Sequence, residues 1–185
     1  MPNLWTDLVT IFSTWHIARA AGLTAYLLLF IITACGLLFT LQVVPSKHRP
    51  FIMHLHKASV FACIAFTLLH GIILMFDKHI HFSAADVFIP FWSDYKSWET
   101  GLGIVAFYVI LVVTLTSIPA ITKMLQFKMW KNVHYLAFPC YWLAFYHGLV
   151  LGTDSHSTFM IALYVCTAGT IFTLMLLRIW KSLHT

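Results

Sequence analysis

The chain has 185 residues, of which 61% are hydrophobic and only 9% charged, against about 25% charged in an average soluble domain. That balance excludes a water-soluble globule, whose surface needs far more charge to stay dispersed, and excludes disorder, which needs low hydrophobicity and strong self-repulsion. The net charge of +5 raises the question of nucleic acid, but the eleven Lys and Arg lie scattered between apolar runs and form no basic stripe, so the expected partner is the lipid bilayer and no nucleic acid.

A membrane-spanning helix needs about 20 mostly apolar residues. The stretch 4–15 is shorter, mixed and aromatic, and is expected to lie in the interface. No basic region precedes it, so a cleaved signal peptide is not expected and the first span should itself direct insertion. Five spans follow: 17–44, closed by Pro45; 55–76; 100–121, with Pro119 near its end; 133–151; and 158–179. The chain therefore reads as a single all-α membrane domain over 1–185, a bundle of five transmembrane helices. Between the second and third spans, 77–99 carries His79, Ile80, Phe82, Val87, Phe88, Ile89, Phe91 and Trp92. That is too apolar for a solvated loop, and it predicts an interfacial piece, either covering something below it or simply anchored by its aromatics. No internal sequence repeat and no low-complexity segment stands out.

Charge sets the orientation. Lys47, Arg49, Lys57, Lys123, Lys128, Lys131, Arg178 and Lys181 all fall at one end of the predicted spans. Asp7, Asp77, Asp86, Asp94, Glu99 and Asp154 all fall at the other. Positive charge marks the cytoplasmic side, which places the N-terminus outside and the C-terminus inside a multi-pass protein of the bacterial cytoplasmic membrane. The four cysteines, Cys35, Cys63, Cys140 and Cys166, lie in apolar runs and form no CxxC or CxxCH motif, so they read as small buried hydrophobes with no anchor for a covalent c-type heme.

Eleven histidines are the second anomaly, and four of them fall within spans. His56 and His70 share the second span, fourteen residues apart, or about 21 Å along the axis. His134 and His147 share the fourth, thirteen apart, or about 19.5 Å. The two spans run parallel, so His56 and His134 belong at the inner level and His70 and His147 at the outer. Neutral imidazole is a strong axial ligand for heme iron, and two levels of two imidazoles suit two bis-histidine hemes. Gly71 and Gly148 follow the outer pair and would let a porphyrin approach the backbone. Fourteen helical steps return close to one face, but thirteen do not. Pro139 lies between His134 and His147 and offers a kink that would correct this. The competing readings are structural or proton-conducting histidines in a heme-free membrane scaffold or transporter, and metal-ion transport. The spans carry no carboxylates to serve as ion ligands.

The segments W-H-I-A-R-A-A-G-L-T-A-Y (15–26), L-H-K-A-S (55–59), L-L-H-G (68–71), I-P-F-W-S (89–93), W-K-N-V-H-Y-L-A-F (130–138) and Y-H-G-L-V-L-G-T-D (146–154) resemble the ferric reductase-like transmembrane domain family. That family includes the heme-bearing membrane parts of NADPH oxidases and ferric reductases and the bacterial heme subunit paired with a periplasmic methionine sulfoxide reductase. The resemblance implies two b-type hemes and transmembrane electron transfer. The iron ligands would be His56 and His134 for the inner heme and His70 and His147 for the outer. The family core often has six spans, so a sixth stays open. No G-x-G-x-x-G follows the last span, so the chain is expected to lack its own flavin or NADPH domain. Its electron donor would then be a separate flavoprotein, flavin or quinone/quinol, and its external acceptor a metal ion or a periplasmic protein. No residue is assigned to bond-making catalysis.

The remaining candidates are weaker. Arg19, near His16, would pair with an outer heme propionate or snorkel to headgroups. Arg49, Lys57 and Lys131 would do the same inside. His54 is an alternative to His56 as ligand. His79, His81 and His156 would face an external acceptor or solvent. Phe66, Phe138 and Trp142 lie between the two levels, as packing or as an aid to electron passage.

Overall fold

The computed structural model describes residues 14–77 and 80–184. The predicted interfacial stretch 4–15 lies mostly outside the described residues, as do Asp7 and His79. The described chain is all-helical, with no strand among the described residues. Helix α1 spans Thr14–Leu41, α2 Arg49–Leu74, α3 Ala84–Phe88, α4 Ser97–Thr116, α5 Pro119–Thr122, α6 Phe127–His134, α7 Ala137–Leu151 and α8 Thr158–His184. Among the described residues, four helical stretches are long and apolar enough to cross a membrane: α1, α2 with the 3-10 turn before it (Ser46–Leu74), α4 and α8.

The differences from the sequence reading have local causes. Helix α1 stops at Leu41, short of Pro45, because Gln42 adopts a left-handed conformation with φ 57°, a common helix terminator. Helix α2 starts with a proline in its first turn, where no intrahelical donor is needed. Helix α4 ends at Thr116 rather than 121, and Pro119 opens the short α5 instead of extending α4. The expected span 133–151 is divided, leaving α7 only 15 residues long. That is less than the roughly 20 needed to cross alone.

Helix α1 is the centre of the bundle. Its buried face carries Ala18, Ala21 and Ala25, small residues that let neighbouring helices approach closely. Helix α2 packs antiparallel against it, α7 packs on α4, and α8 lies across α1. Tyr26 joins three helices in the buried interior. Its hydroxyl meets Thr167 Oγ1 of α8 at 2.5 Å and the Tyr141 hydroxyl of α7 at 3.1 Å.

The structure reveals a repeat that the sequence reading missed. The α1–α2 hairpin is repeated as α4–α7. Residues 22–33, G-L-T-A-Y-L-L-L-F-I-I-T, align without a gap to 103–114, G-I-V-A-F-Y-V-I-L-V-V-T, which lie 81 residues later. On the returning helices, Phe61, Cys63, His70 and Gly71 align with Phe138, Cys140, His147 and Gly148, 77 residues later. Between the hairpins, 80–96 folds over their outer end. A capping box between Ser83 and Asp86 starts α3, and the Tyr108 hydroxyl holds the segment down by donating to the Phe88 carbonyl at 2.8 Å.

Candidate functional site

The four span histidines meet in two tiers. The His70 and His147 ring centres are 6.3 Å apart with planes at 89°. The His56 and His134 centres are 6.4 Å apart with planes at 43°. The thirteen-residue spacing is accommodated at the division between α6 and α7. Pro139 has no N–H and crowds the carbonyl four residues back, which belongs to Tyr135. That carbonyl instead accepts from Phe138 N at 3.1 Å, and the Val133 carbonyl accepts from Leu136 N at 3.0 Å; both are 3-10 bonds. A 3-10 turn rises about 2.0 Å per residue against about 1.5 Å in an α-helix. Seven α-helical steps take His56 to Cys63, a rise of about 10.5 Å. Six steps take His134 to Cys140, and the 3-10 turn among them lengthens their rise toward that height. One residue fewer therefore covers nearly the same height, and His134 reaches the level of His56.

Each imidazole is held by its Nδ1. His70 Nδ1 donates to the Ala18 carbonyl at 2.7 Å, His56 Nδ1 to Ile32 at 2.9 Å and His147 Nδ1 to Glu99 at 2.9 Å. A carbonyl only accepts, so each Nδ1 carries the proton and each Nε2 keeps its lone pair. This is the usual arrangement of a metal-ligating histidine. In all three cases the residue four positions after the carbonyl is a glycine that lies against the ring. A Cβ on Gly22 would meet His70 Nδ1 at 3.0 Å, one on Gly36 would meet His56 Cε1 at 3.7 Å, and one on Gly103 would meet His147 Cε1 at 2.6 Å. The carbonyls at 18, 32 and 99 and the glycines at 22, 36 and 103 thus form three copies of one seat. His134 differs, since its Nδ1 lies 3.4 Å from Ser117 Oγ.

The middle tier follows the same register. Cys63, seven residues from each histidine of α2, donates to the Ala25 carbonyl at 3.4 Å, and Cys140 donates to Ala106 at 3.3 Å. Both are buried, as expected, and Cys35 is too, whereas Cys166 is exposed.

A cavity of about 460 Å³ surrounds the outer pair, within the roughly 300–1,000 Å³ of small-molecule and cofactor sites. Its walls are apolar, its floor reaches Cys63 and Cys140, and Ile80, Phe82 and Val87 of the segment 80–96 line it. The spaces beside Gly71 and Gly148 are taken by protein atoms: a Cβ there would meet Val87 Cγ1 at 2.9 Å and the Tyr164 hydroxyl at 3.1 Å.

Of the other candidates, Arg19 lies at the cavity wall in an ion pair with Asp154. His16 also lines the cavity. His54 is exposed on α2, and the structure does not bring it to the inner pair. His81 and His156 are exposed. At the basic end, Arg49 Nε donates to the Val44 carbonyl at 3.2 Å, Lys57 is exposed, and Lys131 lies 5.7 Å over the Tyr135 ring. Trp142 packs edge-on against Tyr141 and Phe145, Phe138 lies under Arg178, and Phe66 is half-buried. Among the described residues, no group of three or more His, Cys, Asp or Glu is placed to hold a metal ion. The sites are pairs.

The family profile of the ferric reductase-like transmembrane component matches residues 20–145, more than half of the chain. The chain belongs to that family. It is thus an integral, multi-pass membrane domain and a membrane electron-transfer component, in a family whose members typically bind heme. The match includes His56, His70 and His134 and stops two residues before His147. Comparison with curated proteins and with solved structures gives no significant match.

Proposed function

We propose that the chain is a di-heme b-type membrane cytochrome that carries electrons from an inner donor to an external acceptor. The observation that carries this reading is the separation of the paired rings. A single metal atom bonded at about 2.0 Å to one nitrogen of each ring, with each ring centre about 1.2 Å further on, sets the centres about 6.4 Å apart. The two pairs stand at 6.3 and 6.4 Å, with every Nδ1 engaged elsewhere. Two imidazoles alone make a poor metal site, and the absence of a third protein ligand among the described residues suits a porphyrin, which brings four nitrogens of its own.

His56 and His134 hold the inner heme, and His70 and His147 the outer. When bound, an iron porphyrin would supply reversible one-electron chemistry. The chain does the rest. The carbonyl seats fix the tautomer and direction of His56, His70 and His147. The apolar cavity wall and the outer segment exclude water from the outer tier. Arg19, at the rim of the cavity, supplies a cation for an outer propionate. Helices α6 and α7 together serve as a fifth crossing, and the basic end lies inside, with the N-terminus out and the C-terminus in, in a bacterial cytoplasmic membrane. Electron flow toward the outside is then favoured by about 2.3 kcal/mol per charge for each 100 mV of membrane potential. The donor is a flavoprotein, a flavin or a quinol, and the acceptor a metal ion or a periplasmic protein.

The test is a heme count on the purified chain by pyridine hemochrome, together with a reduced-minus-oxidised spectrum. Two b-type hemes per chain are expected, falling to one in His70→Ala. A colourless, folded preparation made with ample heme supply would refute the proposal and favour a heme-free transporter or scaffold.

A further inference from the structure

The one seat that departs from the pattern is that of His134. By the 81-residue register, the counterpart of the Ile32 carbonyl is Val113 and the counterpart of Gly36 is Ser117. The Val113 carbonyl is present but already engaged, because Ser117 Oγ donates to it at 2.7 Å. The hydroxyl has one proton and two lone pairs. With its proton on Val113, the oxygen can only accept from its other two neighbours, Trp130 Nε1 at 3.3 Å and His134 Nδ1 at 3.4 Å. Trp130 also stacks on the His134 ring, with centres 5.0 Å apart and planes at 30°. A serine thus fills the space that glycine leaves open in the other three seats and stands between carbonyl and imidazole.

We infer that Ser117 is the positioning residue of the inner site, relaying the Val113 carbonyl to His134 Nδ1 and so fixing which ring nitrogen faces the iron. The inference rests on the heme reading and adds to it a residue that touches neither the iron nor the ligating nitrogen. It makes an unusual prediction about residue size. Ser117→Thr keeps the hydroxyl and retains the seat. Ser117→Ala removes the hydroxyl and keeps the Cβ, leaving Nδ1 without the partner it has in the present ring position. Ser117→Gly removes both and recreates the seat that His56 has at Gly36, so His134 can reach the carbonyl directly. Glycine should therefore restore what alanine loses.

The experiment uses the full chain in detergent or nanodiscs, in a His70→Ala background that keeps only the inner site. Hemin affinity is titrated, and the low-spin ferric electron paramagnetic resonance spectrum is recorded. Alanine is expected to weaken hemin affinity by about 10-fold or more, the usual cost of losing the partner of a metal-ligating histidine, and to shift the spectrum. Threonine and glycine are expected to stay within a few-fold of the parent, with the parent spectrum. An alanine variant with unchanged affinity and spectrum overturns the inference and leaves the heme reading intact. A glycine variant that is worse than alanine also overturns it, because that order indicates packing. Absence of heme from the parent chain itself refutes the heme reading instead. Circular dichroism on each variant separates these results from misfolding.

Discussion

The outer and inner histidine pairs share nearly the same ring separation and differ in almost everything around it. At the outer tier both rings sit on backbone carbonyls beside glycines, at an apolar cavity lined in part by 80–96. At the inner tier one ring sits on a backbone carbonyl and the other on a side chain that is itself exposed. The inner rings stand at 43° to each other and the outer at 89°. The outer rim carries an ion pair, Arg19 with Asp154, whereas the inner end carries cations stacked on aromatic rings, Arg178 over Tyr135 at 4.7 Å and over Phe138 at 5.2 Å. One repeated hairpin has thus produced an enclosed site at one end and an accessible site at the other. That asymmetry suits the conduit proposed above, in which a partner would meet the more accessible tier and water would be kept from the other.

The sharpest way to break the comparison is to fill the glycine seats. Gly103→Ala drives a methyl group into the His147 ring, so the outer heme should be lost and the pyridine hemochrome count should fall from two per chain to one. Overpacking of this kind costs about 1–3 kcal/mol. Gly22→Ala meets His70 Nδ1 at 3.0 Å, a tight contact that the ring can relieve only by giving a few tenths of an ångström, and should weaken outer heme retention by a smaller factor. Gly36→Ala meets His56 at 3.7 Å and should leave the inner heme in place. Any other order among the three would show that the glycines do not seat the rings.

A smaller effect is expected at the rim. Arg19→Ala should speed transfer of the outer heme to a heme-scavenging protein by a few-fold, with the inner heme unaffected. The Arg19–Asp154 pair is partly exposed, and such pairs contribute at most about 1 kcal/mol, so the thermal midpoint should barely move. Equal loss of both hemes would remove the distinction between the tiers.

The smallest effect is a pH response confined to the outer segment. Hydrogen bonds from the Ser83 hydroxyl and backbone N–H hold the Asp86 carboxyl below its ordinary range. A depressed folded-state value means that this carboxylate stabilises α3 at pH above its unfolded value of about 4 and ceases to do so as pH falls through the folded value. Acidification below about pH 4 should therefore lower the hydrogen-exchange protection of 83–88, measured against the intrinsic rate at each pH, while leaving α4 protected. Asp86→Asn should show the lower protection already at neutral pH.

Hydropathy made the long helices legible, because lipid demands unbroken apolar runs, and the spacing of the histidines made the tiers legible, because a helix converts residue number into height. The division at Tyr135–Leu136 was not readable from hydropathy, since both sides of it are apolar. Pro139 was the correct signal, and its effect falls four residues upstream, on the carbonyl it displaces. The carbonyl seats were hidden for a more general reason: any residue supplies a carbonyl, so the acceptor leaves no mark in the sequence. Only the glycine four positions later does. Gly22 and Gly36 stand fourteen apart, as His56 and His70 do, and that match was available. Gly71 and Gly148 drew attention by adjacency to ligands, yet Val87 and Tyr164 occupy the space beside them. The repeat was hidden because identity between its copies is confined to a few scattered positions, and the residues between them match only in size and register.

The carbonyl seats have a genetic consequence. No codon change can delete a main-chain oxygen, so the orienting partners of His56, His70 and His147 are immune to loss by substitution and vulnerable only to a neighbour that grows. His134 alone depends on a group that a single missense change to alanine would erase. Natural variation that tunes the two centres independently should therefore collect at position 117.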